Sequence, residues 1–128
     1  MTSVVLDASA ILALIRDEAG ADQVAGHIGR AAVSAVNLHE VIRELLVNGL
    51  EEATIRELLD ELRLDIRAHD SGAAYAAAAL HARTGDTGRG LGDRSCLALA
   101  LHLGIPVFTA DRDLKKLKVK GLKIEVIQ

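Results

Sequence analysis

The feature that most constrains this chain is an alternation. Five short apolar runs rich in β-branched residues, at positions 3–6, 32–34, 64–67, 107–109 and 123–127, are separated by longer stretches with helical spacing. A strand that is apolar at successive positions must be covered on both faces, and helices inserted between strands supply that cover. The pattern predicts an α/β fold, with a small central parallel sheet of about five strands flanked by helices as an α/β/α sandwich. With 128 residues, half of them apolar, the chain has the size of one domain and can form a core without staples, so residues 1–128 are expected to fold as a unit.

Between the strands, residues 37–48 carry Leu38, Val41, Ile42, Leu45 and Leu46 at helical spacing and stop at Gly49, which suits a helix C-terminus. Residues 51–62 repeat the pattern through Ile55, Leu58, Leu59 and Leu62, which predicts an αα-hairpin above the sheet. Residues 70–84 are alanine-rich and read as one helix. The Gly-rich stretch 85–90 reads as a mobile loop, because helical pattern resumes at Asp93 and continues over 94–103 to Gly104. Cys96, the only cysteine, falls on the inward face of that helix, which excludes a disulfide framework and a thiolate zinc site. The first residues lack the features of a signal peptide, and no apolar run has membrane-spanning length, so a soluble, cytoplasmic protein without membrane contact is expected.

Charge excludes little. The formal net charge is −3, but residues 111–128 hold six bases against three acids, a net of +3, which leaves −6 on residues 1–110. If four acids ligate a divalent cation, the working protein stands near +1. The lysine-rich tail reads equally well as a solvated surface and as a stripe facing nucleic acid.

Four acids carry the functional argument. Asp7 follows Val4-Val5-Leu6, and Asp111 follows Val107-Phe108-Thr109-Ala110, so both are expected at the carboxyl ends of strands, the edge where open α/β sheets bind ligands. Glu40 lies early in the helix after the second strand, off its apolar stripe, and Asp93 follows Gly92 at the start of a later helix. Taken singly, each has an ordinary role: Asp is a favoured N-cap, and an exposed helix glutamate is common. What those roles leave unexplained is that topology brings all four to one rim. Carboxylates gathered there repel one another unless a hard cation joins them, and an oxygen-only set without a His or Cys cluster selects Mg²⁺ or Mn²⁺. Ser9 and Thr109, each two residues from a strand-end acid, suit orientation of ligands or water and equally suit local capping, as does Asn37. Arg94, beside Asp93, suits a substrate phosphate or a salt bridge.

Three segments, VVLDASAILALI from Val4, SAVNLHEVI from Ser34 and GDRSCLALALHLGIPVFTADRDL from Gly92, resemble the PIN-domain nucleases, most closely the VapC toxins of bacterial and archaeal toxin–antitoxin pairs. The resemblance covers nearly the whole chain, and its last block is the most specific. Carried over residue by residue, the family's first acid falls on Asp7, its helix-borne glutamate on Glu40, its third acid on Asp93 and its strand-end acid on Asp111, with Asp113 as an auxiliary acid. Where the family often has a serine a few residues ahead of the third acid, Gly90 and Gly92 stand here. The resemblance implies a small parallel sheet with flanking helices, a homodimer, cleavage of single-stranded regions of RNA involved in translation, and an antitoxin that inserts a basic side chain near the acids. An exposed apolar face on the first helices would agree with the dimer.

The chain offers no Ser-His-Asp arrangement, no P-loop and no placed general base, so a metal-activated water is the expected nucleophile, leaving a 5′-phosphate and a 3′-hydroxyl. With Phe108 and Tyr75 its only aromatics, it lacks a base-stacking platform. Two rival classes share the apolar strand ending in Asp: an aspartyl-phosphate phosphatase-like enzyme and a non-catalytic receiver or binding module. The phosphatase needs a second Asp two residues on, where Ser9 stands, and a receiver needs paired acids at that strand end, where only Asp7 is present.

Overall fold

Val4, Val5 and Leu6 are all buried, as a strand covered on both faces requires. They form β1 (Val4–Leu6), the middle strand of a five-stranded parallel sheet that also contains β2 (Ala31–Ser34), β3 (Asp65–Arg67), β4 (Val107–Thr109) and β5 (Ile124–Val126), in the order β3-β2-β1-β4-β5. The structure, a computed structural model, describes residues 1–84 and 90–128. The period-two geometry of strands divides the core. Val4, Leu6, Val33 and Phe108 join Ile11, Val41, Leu45 and Ile55 in one cluster, whereas Val5, Ala32 and Val107 join Leu80, Cys96, Leu97 and Leu114 in another.

The helices that supply these two layers are α1 (Ala8–Ile15), α2 (Ala21–Ala25), α3 (Ala35–Val47), α4 (Glu52–Leu62), α5 (Ser71–Ala79), α6 (His81–Thr84) and α7 (Leu91–Leu103). The expected parallel sheet with flanking helices is therefore present. Gly49, with φ of 92°, ends α3 in a paired-bond turn: its N–H donates to Leu46 O, and the N–H of Leu50 donates to Leu45 O.

Several boundaries differ from the sequence reading. The alanine-rich stretch is two helices rather than one. Asp70 caps α5 by accepting from Ala73 N, and beyond buried Leu80 a fresh turn forms in which Arg83 N, Thr84 N and the Thr84 hydroxyl all donate to Leu80 O. Helix α2 carries no periodic signal, because five residues are too few to show one. A 3₁₀ turn, Arg112–Lys116, follows Asp111 in place of an α-helix. The loop read at 85–90 falls, for 85–89, outside the described residues. No described helix is long and apolar enough to cross a membrane. Leu12, Leu14 and Ile15 of α1 are partly buried against the core, and the exposed large apolar residues include Leu46 and Val47 of α3, Tyr75 and Leu91.

In register, Leu6 faces Phe108 across β1 and β4, and Asp7 N donates to Phe108 O at 3.2 Å. From β1 the chain builds to one side through β2 and β3 and to the other through β4 and β5. The crevice at that reversal, outside the carboxyl ends of β1 and β4, is the general ligand position in such sheets, and Asp7 and Asp111 sit at its lip.

Candidate metal centre

Asp7 is a buried carboxylate, 6 % exposed, at the junction of β1 and α1. It fills the N-cap role: its Oδ1 accepts from Ala10 N at 2.9 Å and from the Ser9 hydroxyl at 2.7 Å. Burial pushes its carboxyl above the usual range. Hydrogen bonds from Thr109, Ser9 and Ala10 N pull the other way, and the negative charge of Asp93 adds to the rise. The cap explains Asp7's backbone geometry but not the company of a second acid.

Two hydroxyls tie the ends of β1 and β4 together. Thr109, fully buried, lies 3.3 Å from the Ser9 hydroxyl and accepts from Asp111 N at 3.0 Å, while Ser9 also accepts from Ala110 N at 2.9 Å. Asp111 caps the 3₁₀ turn through Asp113 N at 2.9 Å. Asp113 itself pairs with Lys116 at 2.9 Å on the exposed surface.

On the opposite side, Glu40 projects from α3 toward the start of α7. The amide of Asn37, one turn earlier, donates to Glu40 Oε1 at 2.9 Å and to the backbone carbonyl of Gly92 at 3.1 Å. Asp93 is not the N-cap that its sequence position suggested. Gly90 takes that place, so Asp93 lies within the first turn of α7, where the helix dipole favours a negative charge. The buried Cys96 thiol is pushed far up, first by desolvation and then by Asp7, Asp93 and Glu40. The structure brings Glu40 to α7 at Gly92, next to Asp93, and joins the Asp7 carboxylate and the Asp111 backbone through the Thr109 hydroxyl.

It does not close them into a ready cage. Among the described residues, no three His, Cys, Asp or Glu side chains stand close enough to share one ion. Glu40 is engaged by Asn37. The donor chemistry nevertheless fits a hard divalent cation. The acids supply only oxygen, and Asn37, 2 % exposed, keeps a buried Oδ1 without a hydrogen-bond partner directly beside Glu40, where a water of a hydrated cation could donate.

Arg94 does not form the expected salt bridge with any described acid; one of its guanidinium nitrogens lies 3.4 Å from His81 Nδ1, and its Nε is buried without a hydrogen-bond partner among the described residues. The sequence reading missed a polar chain beside the acids. The Ser34 hydroxyl, which caps α3, lies 2.5 Å from that of Ser95, and the latter lies 2.9 Å from His69 Nδ1. Ser34 and Ser95 also line a cavity of about 450 Å³ that opens between α5 and α7 near Arg67, Asp70 and His102. No local motif announces this chain, because its members are 26 and 61 residues apart.

The sequence model of the PIN domain family matches residues 4–120. No curated protein matches the chain. Among solved structures, a DNA-bound VapBC from Salmonella typhimurium is 21 % identical, with a TM-score of 0.71, over 98 % of this chain and 98 % of that one. A toxin–antitoxin complex from Klebsiella pneumoniae is 19 % identical, with a TM-score of 0.74, over 94 % and 95 % of the two chains. A member of the VapBC family of toxin–antitoxin systems from Mycobacterium tuberculosis is 23 % identical, with a TM-score of 0.61, over 99 % and 100 %. At these identities the likeness is one of fold.

Proposed function

The chain belongs to the PIN-domain family, whose pattern it carries over residues 4–120, and from that premise we propose that it is a metal-dependent endoribonuclease, the VapC-type toxin of a toxin–antitoxin pair. In this reading residues 1–128 form one PIN domain, Asp7, Glu40, Asp93 and Asp111 hold Mg²⁺ or Mn²⁺, and the partners are RNA, an antitoxin and a second copy of the chain. The observation that supports it is Glu40 held by Asn37 against Gly92, the residue before Asp93, with Asp7 buried at the end of the middle strand. The structural relatives are VapBC and toxin–antitoxin proteins, which supports the toxin assignment.

A divalent cation bound there supplies an activated water and neutralises charge on the phosphate under attack. The chain's own residues do the rest. Ser9, Ala10 N and Thr109 fix the Asp7 carboxylate, and the Asp111 backbone is held by the same Thr109 hydroxyl. Asn37 fixes Glu40 against α7. Hydroxyl-bearing second partners of this kind hold ligands in a productive geometry before the substrate arrives.

The test is cleavage of single-stranded RNA by the purified protein with Mg²⁺ or Mn²⁺, in parallel with EDTA and with Asp93→Asn. Metal-dependent scission leaving 5′-phosphate and 3′-hydroxyl ends is expected, and 2′-O-methylated RNA should still be cut. A cyclic 2′,3′-phosphate product, or cleavage that persists in EDTA, would contradict the proposal.

A further inference from the structure

Gly92 lies inside α7, one residue before Asp93, and its backbone has no left-handed φ that would call for glycine. Glycine in a helix costs about 1 kcal/mol relative to alanine, so a reason for it has to lie elsewhere. The surroundings supply one. A Cβ built on Gly92 would fall 2.5 Å from Glu40 Oε1, 2.7 Å from Oε2 and 2.8 Å from Cδ, well inside any carbon–oxygen contact. A Cβ built on Gly90, two residues earlier, has nothing within 4 Å among the described residues. The close approach is therefore specific to the position facing Glu40. It is reinforced by the Asn37 amide, which holds Glu40 Oε1 and the carbonyl of Gly92 with one nitrogen.

We propose that Gly92 is a positioning residue: its missing side chain is the space in which the Glu40 carboxylate sits, and its carbonyl, through Asn37, sets that carboxylate's orientation. The Glu40 end of the centre is thus built jointly by α3 and α7, with Asn37 as the bridge. The atoms that a Cβ would strike are the far end of a flexible side chain rather than backbone, so Gly92→Ala displaces Glu40 and leaves the fold intact. The inference rests on the nuclease reading for its consequence, but the geometry can be tested without it.

The experiment compares wild type with Gly92→Ala and Gly90→Ala by calorimetric titration with Mn²⁺, alongside thermal unfolding in EDTA. Gly92→Ala should weaken Mn²⁺ binding roughly 10- to 100-fold while shifting the Tm in EDTA by no more than about 4 °C. Gly90→Ala should bind as wild type does. In a Glu40→Ala background, where the new methyl has nothing to displace, Gly92→Ala should change Mn²⁺ affinity by less than about twofold. Equal affinity in Gly92→Ala and wild type, or an undiminished loss in the Glu40→Ala background, overturns the proposal. If wild type binds no Mn²⁺, the nuclease reading fails, and the side-chain amide signals of Asn37 decide the positioning role. They should shift and lose exchange protection in Gly92→Ala while the backbone amides of α3 and α7 keep theirs, and unchanged Asn37 signals overturn it.

Discussion

Replacing Asp7 by Asn should stabilise the metal-free protein and destroy its response to metal, whereas replacing it by Ala should forfeit the hydrogen bonds of the cap as well. The Oδ1 of Asp7 accepts two hydrogen bonds, from Ala10 N at 2.9 Å and from the Ser9 hydroxyl at 2.7 Å. Asn keeps an oxygen in that place and is as good an N-cap as Asp, so both bonds survive, and its amide can donate to the Thr109 hydroxyl that bonds the carboxylate. Ala removes the acceptor. Loss of the cap costs about 1 kcal/mol, and the stranded Ser9 hydroxyl costs about 1 kcal/mol more. At roughly 4 °C per kcal/mol for a chain of this size, Asp7→Ala should unfold about 8 °C below Asp7→Asn. The charge acts in the opposite direction. Burial and Asp93 raise the folded-state pKa of Asp7 above its unfolded value. Its contribution to stability is therefore complete below the unfolded carboxylate pKa of about 3.9 and is lost as pH rises through the folded value. The Tm of Asp7→Asn minus that of wild type should accordingly be close to zero near pH 4 and positive at pH 7.5 in EDTA. Saturating Mg²⁺ should reverse the order, since a ligand at 100 times its Kd stabilises the state it binds by about 2.7 kcal/mol and Asp7→Asn removes one of the proposed metal ligands. Calorimetric melts at the two pH values, with and without Mg²⁺, decide the matter. If Asp7→Asn melts below wild type at pH 7.5 in EDTA, or gains as much from Mg²⁺, the account of Asp7 as a buried charge awaiting a cation is wrong.

Three further outcomes are expected. The Cys96 thiol, fully buried and held protonated by desolvation and by Asp7, Asp93 and Glu40, should not react with a disulfide reagent at pH 8 until the protein unfolds, and rapid labelling of native protein would contradict its placement. Leu97, fully buried between α7 and the sheet, should cost about 3 kcal/mol when cut to Ala, read as a denaturant midpoint shift with unchanged slope. Asp65, whose carboxyl is pulled below its usual range mainly by the Arg67 guanidinium, contributes stability that is present above its unfolded pKa and disappears as pH falls through the lower folded value. Both side chains are more than a third exposed, so Asp65→Asn should remove less than about 1 kcal/mol at pH 7 and nothing at pH 2, with the difference shrinking in 1 M salt.

Periodicity was enough to read the parallel sheet and the paired helices after β2, because each depends on spacing within a dozen residues. Helix starts were less legible. Gly90 rather than Asp93 caps α7, since a cap is chosen by where the backbone turns and not by the best capping residue nearby. The Ser34, Ser95 and His69 chain was not legible at all, because hydroxyls 61 residues apart leave no local trace.

Local composition by itself determined which residues enter the core and which acids end the first and fourth strands: burying Val4-Val5-Leu6 and Val107-Phe108-Thr109 on both faces leaves Asp7 and Asp111 at the sheet's edge. Tertiary structure alone decided what surrounds each acid. Whether Glu40 reaches α7, what Asn37 bridges, and why no side chain fits at residue 92 depend on how closely two helices approach, and that distance is set by the packing of the whole core rather than by either segment.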